Sequence, residues 1–213
     1  MLCVCIAEKN ADDVSSALAG CEFAEIRLDA GAFSAADTAL LFGRKEVKLI
    51  ATYRPGNASD ETRIEILNAA IDAGAACIDI EVENSDAFKQ AVIPRAKEKG
   101  VQVIVSYHNY ENTPQCRELE EVIRWCRDSG ADIIKISCAV HTRQEAARIL
   151  SLYQYDFPIV ALGMGEFGRI TRVASVLLGA PFTYVSPEEG RGTAPGQIGR
   201  ARMQEIIGLI QQG

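Results

Sequence analysis

Apolar runs of strand length alternate along this chain with longer stretches in which apolar residues recur every three or four positions. Aligning the glycines exposes a repeat: AGCEFAEIRLD (19–29), AGAACIDIEVE (73–83), KGVQVIVSYH (99–108) and SGADIIKISC (129–138). Each predicts a helix that ends at glycine, where a left-handed residue is cheap, followed within a few residues by a strand. FGRKEVKLIATYR (42–54) and LGAPFTYVSP (178–187) are looser copies, and LCVCIA (2–7) and FPIVALGMG (157–165) complete the set. The eight predicted strands start near residues 2, 23, 47, 77, 101, 132, 158 and 182. Helical spacing fills the gaps: Ile64, Leu67 and Ile71 within 60–73, and Leu119, Val122, Ile123 and Cys126 within 115–129, with a last helix over 198–212.

Eight strand–helix units with short connections predict an α/β protein of the (β/α)8 TIM-barrel type, one domain over residues 1–213. The competing arrangement is a doubly wound open sheet. Against it, AEKNADD (7–13) after the first strand carries no Gly-x-Gly-x-x-Gly phosphate cradle.

Composition changes this picture little. Hydrophobic residues make up 48% and charged residues 24%, a globular balance, and no apolar run approaches a membrane span. A net charge of −7 disfavours nucleic acid and anionic membranes, so an anionic ligand needs local arginines. Seven cysteines, an odd number without a Cys-x-x-Cys pair or zinc spacing, suit a reducing, cytoplasmic setting and core packing, Cys3 and Cys5 included. The N-terminus lacks the pattern of a secretory signal and reads as the first strand.

The candidate chemistry follows from strand parity. Alternate residues of a barrel strand point inward, and reactive groups gather at the carboxyl ends. Glu25, Arg27 and Asp29 share parity, as do Asp79, Glu81 and Glu83, Ser106 and His108, and Lys135 and Ser137, while Arg54 ends the third strand. Of seven lysines, Lys48 falls at the barrel floor, a structural charge, whereas Lys135 lies mid-strand and points in. A desolvated amine near arginines is a nucleophile for carbonyls, which makes Lys135 a Schiff-base candidate; the alternative is an ion pair with Asp79 or Glu81. His108, one strand away, is the natural proton shuttle, and His141 is assigned to a helix start. Arg27, Arg54 and Arg172 are expected to make the mouth positive, suited to a carboxylate or phosphate. The glycine-rich segments 163–168 and 188–197 follow the last two strands, where barrels often bind phosphate. These residues alone also fit a class I aldolase or a non-catalytic barrel that binds an anionic metabolite.

Seven motifs in order, EIRLD (25–29), TYR (52–54), DIE (79–81), SYH (106–108), KIS (135–137), MGEFGRITR (164–172) and TAPGQ (193–197), resemble the type I 3-dehydroquinate dehydratases of the shikimate pathway. The resemblance implies a (β/α)8 barrel, commonly a homodimer, that uses no metal or organic cofactor and converts 3-dehydroquinate to 3-dehydroshikimate. By resemblance Lys135 forms the imine and His108 moves the protons. Arg172 clamps the substrate carboxylate, Glu25, Arg27, Arg54, Thr193 and Gln197 hold hydroxyls and the mobile loop, and Met164 packs on the apolar face. Segment 188–197 resembles a water-excluding lid. One departure stands out: the family glutamate that follows the strand-three arginine and supports the histidine is absent from RPGNASDE (54–61), leaving Asp60, Glu61 or no residue in that role.

Overall fold

A computed structural model of the chain describes residues 1–56 and 58–212; Asn57 and Gly213, the last residue of the expected domain, lie outside them. Each strand begins within one residue of its expected start: β1 Leu2–Ile6, β2 Phe23–Arg27, β3 Lys48–Thr52, β4 Cys77–Glu81, β5 Gln102–Asn109, β6 Ile133–Ala139, β7 Ile159–Met164 and β8 Thr183–Val185. The helices between and after them are α1 Ala11–Ala17, α2 Ala35–Phe42, α3 Asp60–Ala73, α4 Asp86–Glu98, α5 Cys116–Asp128, α6 Arg143–Leu150, α7 Arg169–Leu177 and α8 Arg200–Gln211.

Local chemistry explains where helices start and stop. Ser59 and Ser85 accept the N–H groups of Thr62 and Phe88 at the starts of α3 and α4, satisfying donors that the helix cannot. Thr142 and Glu145 cap α6 reciprocally. Gly74 ends α3 at φ +105°, the left-handed conformation that the glycine repeat predicts, whereas Gly43 in the looser copy stays right-handed at φ −69°.

The strand order is β7-β6-β5-β4-β3-β2-β1-β8, and every ladder is parallel. Sequential order with β8 beside β1 is a barrel; an open doubly wound sheet would reverse direction at a switch point. No ladder joins β7 to β8 among the described residues, and Val160 and Leu162 meet Phe182 and Tyr184 in one apolar cluster instead.

Two apolar layers hold this frame. The outer one lies between strands and helices and includes Ile26, Ala51, Ile78, Val103 and Ile134 from the strands. The inner one fills the barrel with Cys3, Phe23, Ile50, Cys77, Ile104, Ile133 and Phe182, the residues of opposite parity. Lys48 is exposed at the start of β3, as expected of the floor. Among the described residues no helix is long and apolar enough to cross a membrane.

Candidate active site

Above the apolar floor, every inward side chain of β2 to β6 becomes polar. The nine residues singled out in the sequence, Glu25, Arg27, Arg54, His108, Lys135, Met164, Arg172, Thr193 and Gln197, line one cavity of about 100 Å³ at the carboxyl ends of the strands. A larger depression of about 750 Å³ lies outside the barrel against α6, α7 and α8, but it is shallow, mostly apolar and remote from the ionisable cluster. The chemistry therefore belongs to the smaller cavity.

Lys135 is 7% exposed and its ammonium donates to Asp79 Oδ2 at 2.8 Å, with Glu25 Oε1 at 3.7 Å and the Tyr184 ring centroid at 4.4 Å. The same Asp79 oxygen accepts from Arg54 Nη2 at 2.8 Å, and Oδ1 accepts from Ser106 Oγ at 2.6 Å. Burial by itself would raise the Asp79 carboxyl; Arg54 and Lys135 overcome it and hold the group ionised, well below the usual carboxylate range. Glu25 is equally committed, accepting from Thr52 Oγ1 at 2.8 Å and from the Cys5 thiol at 2.8 Å.

This arrangement corrects two expectations. Lys135 is not a lysine among unopposed arginines, because parallel register brings carboxylates from β2 and β4 to its amine. Nor is the mouth broadly positive: Arg54 is paired with Asp79, and Arg27 makes a two-pronged contact with Asp29 at 3.0 and 2.7 Å.

Arg172 is different. It stands in the first turn of α7, is 2% exposed, has no carboxylate partner among the described residues, and its Nε makes no hydrogen bond. Burial pushes its guanidinium down to about 10. A buried cation without a counter-charge costs several kcal/mol, and Arg172 is the one arginine of the mouth with no carboxylate partner among the described residues. Two glycines of 163–168 let α7, and with it Arg172, start flush against β7: a side chain on Gly168 would meet Gly163 backbone at 2.4 Å. Thr171 locks that approach by accepting the Gly163 N–H at 2.7 Å.

His108 borders the cavity at the end of β5, with its ring stacked on Tyr110 at 6.0 Å between centroids. Its imidazole is pushed down to about 4, first by burial and then by Arg54, against the opposing pull of Glu81, and is neutral at pH 7. Neither sequence candidate for its supporting acid reaches it: Asp60 pairs with Arg63 at 2.7 Å, and Glu61 is exposed in the first turn of α3. Glu81 Oε1 lies 3.2 Å from His108 Nδ1, at the distance but not the angle of a hydrogen bond. His141 is outside the cavity, where its Nε2 contacts the Glu111 carbonyl at 2.8 Å two residues before α6.

Segment 188–197 crosses the mouth. Gln197 Oε1 accepts from the Thr193 N–H at 2.7 Å, the Thr193 hydroxyl donates to Cys5 Sγ at 3.0 Å, and Gly165 N donates to Pro195 O at 3.2 Å. Gly196 permits this closeness, since a side chain there would meet Gly165 O at 2.5 Å. Cys5 is thus more than core filling; with Tyr110 and Tyr184 it lines the cavity, and inward parity is the sequence signal that could have found Cys5 and Tyr184. Tyr110 lies beyond its strand, where parity says nothing. No metal-holding group of His, Cys, Asp and Glu occurs among the described residues.

Comparison with known proteins agrees with this architecture. The family model described as type I 3-dehydroquinase matches residues 2–213. The chain is 30% identical to a 3-dehydroquinate dehydratase of Syntrophobacter fumaroxidans, covering 100% of this chain and 97% of that protein. It is 32% identical to the Methanothermobacter thermautotrophicus enzyme of the same name, with 98% and 96% covered. The crystal structure of the Aquifex aeolicus 3-dehydroquinate dehydratase superposes with a TM-score of 0.83 at 26% identity, over 98% of each chain.

Proposed function

The chain belongs to the type I 3-dehydroquinase family, and on that premise we propose that it converts 3-dehydroquinate to 3-dehydroshikimate through an imine on Lys135. The observation that carries this reading is a buried amine, a neutral imidazole and a buried guanidinium with no carboxylate partner among the described residues, all opening on one cavity.

Arg172 binds the substrate carboxylate and so orients the ring; Glu25, Arg27, Arg54, Thr193 and Gln197 surround the hydroxyls, with Met164 against the apolar face. Lys135 leaves Asp79, passes a proton to neutral His108 and attacks the ketone; His108 returns that proton to the carbinolamine hydroxyl, which departs as water and leaves a protonated imine. Neutral His108 takes the proton from the adjacent carbon, and the electron pair flows into the imine to form an enamine. The enamine reforms the imine as it expels the β-hydroxyl, which leaves as water with the proton His108 holds. Water hydrolyses the imine and restores the amine, so the net change is loss of one water. Asp79 and Glu25 act as counter-charges while Lys135 is an iminium, and the strap over the mouth keeps bulk water from the enamine.

Borohydride added to protein and 3-dehydroquinate tests this directly. A reduced adduct on the peptide that carries Lys135 supports it; no adduct and no dehydroshikimate refutes it.

The same reading carries a homodimer. Phe167, Ile170 and Leu177 are exposed along α7 and its approach, beside the depression against α6 and α8, an apolar face suited to a second copy. Light scattering should give twice the 23.1 kDa chain mass, and Ile170→Asp should halve it.

A further inference from the structure

Three carboxylates stand inside the barrel on the strands of the mouth. Both oxygens of Glu25 are taken, by Thr52 and Cys5, and both of Asp79, by Ser106 and by Arg54 with Lys135. Glu81 alone makes no side-chain hydrogen bond among the described residues, although it is only 17% exposed and 3.2 Å from His108 Nδ1. Arg54 donates to Asp79 at 2.8 Å and to Ser106 at 2.9 Å and lies 3.8 Å from Glu81, an ion pair without a hydrogen bond that leaves the carboxylate oxygens free to accept. His108 Nδ1 in turn is buried and has no other partner among the described residues.

The backbone holds Glu81 at this place. Its register partner on β5 is Ser106, so His108, two residues on, is the diagonal inward neighbour within reach of a glutamate. Asn84 donates to the Glu81 carbonyl at 2.8 Å, and buried Arg63 donates to Asn84 Oδ1 at 2.9 Å and to the Tyr53 carbonyl at 3.2 Å. One arginine thereby ties the end of β4 to the end of β3.

We propose that Glu81 is the positioning residue for His108: its carboxylate accepts the Nδ1 proton, leaves Nε2 as the ring nitrogen that exchanges protons with substrate, and balances the imidazolium formed in between. The proton taken from carbon goes to Nε2 and leaves with the hydroxyl, while the Nδ1 proton stays in place and Glu81 stays ionised. The inference deepens, and for its reaction rests on, the dehydratase reading. Around the ring, Arg54 and Lys135 oppose its protonation, Glu81 and Asp79 favour it, and Tyr110 covers one face.

Steady-state kinetics from pH 3 to 8 on wild type, Glu81→Gln and Glu81→Asp test it. Glu81→Gln is expected to lower kcat roughly 10- to 100-fold with KM within about threefold, and to move the acid limb of kcat/KM to lower pH. Glu81→Asp should recover part of both. A kcat within twofold of wild type, or an unmoved limb, overturns the proposal.

Imidazole nitrogen NMR supplies a readout independent of turnover. The chain has two histidines, so a His141→Asn background isolates His108. The Nδ1–H tautomer is expected at pH 7, shifting toward Nε2–H on Glu81→Leu. The same tautomer in both refutes the pairing whatever the activity. No turnover by wild type together with a shifted tautomer refutes the dehydratase reading and leaves the pairing intact.

Discussion

The lower and upper halves of the barrel interior are built on the same strands, with the same parity, two residues apart. Phe23 faces in below Glu25, Ile50 below Thr52, Cys77 below Asp79, Ile104 below Ser106 and Ile133 below Lys135. A rise of about 7 Å along each strand separates an apolar plug from a lattice of charges. The plug keeps water from reaching the charges from below, so each ion pair above it works in a low dielectric and each unpaired charge is costly. The lower half contributes stability and the upper half spends some of it on function. Variants in the two halves should therefore fail in different ways.

The largest effect expected is on activity alone. Lys135→Met should lower kcat on the order of 10⁴-fold or more and abolish borohydride trapping, because no other residue supplies the amine. Its thermal melt should stay near that of wild type, since Asp79 keeps Arg54 and Ser106.

The floor should behave in the opposite way. Phe182 is 2% exposed and meets Phe23 and Tyr184 edge to face, with centroids 5.1 and 5.4 Å apart. Phe182→Ala should cost about 3–5 kcal/mol in denaturant unfolding. Well below its melting temperature it should keep kcat within a few-fold of wild type. A floor variant that lost activity while staying folded would erase the distinction.

Acid titration sharpens it. His108 at about 4 in the fold, against 6.5 when unfolded, means that the unfolded chain binds the extra proton in that window. Stability is then full above pH 6.5 and falls as pH drops through 4, by at most about 3 kcal/mol. His108→Asn should flatten this part of a stability–pH curve, whereas Phe182→Ala should shift the whole curve without changing its slope there.

The smallest effect carries the most telling sign. Arg172→Met removes a buried cation that has no carboxylate partner among the described residues, so it should stabilise the protein by about 1–3 kcal/mol while raising KM. Differential scanning calorimetry beside steady-state kinetics would show both. Destabilisation instead would mean that Arg172 supports the fold.

The fold was largely legible because two periodicities repeat eight times: glycine-terminated helices mark the units, and strand parity separates the inner from the outer face. The candidate residues were legible by the same parity together with the motifs of the family, and the cavity gathers all nine. Pairings were not. Asp79 serves both Lys135 and Arg54, Cys5 binds Glu25, and Glu81 rather than Asp60 or Glu61 approaches His108.

Which residues face the barrel interior, and at which end the polar ones collect, follows from the order of residues alone, because side-chain direction along a strand depends only on position within that strand. Which charges are matched and which, like Arg172, have no partner among the described residues was settled by folding. Matching depends on the stagger between neighbouring strands and on the angle at which α7 meets β7, and both are properties of contacts far apart in the chain.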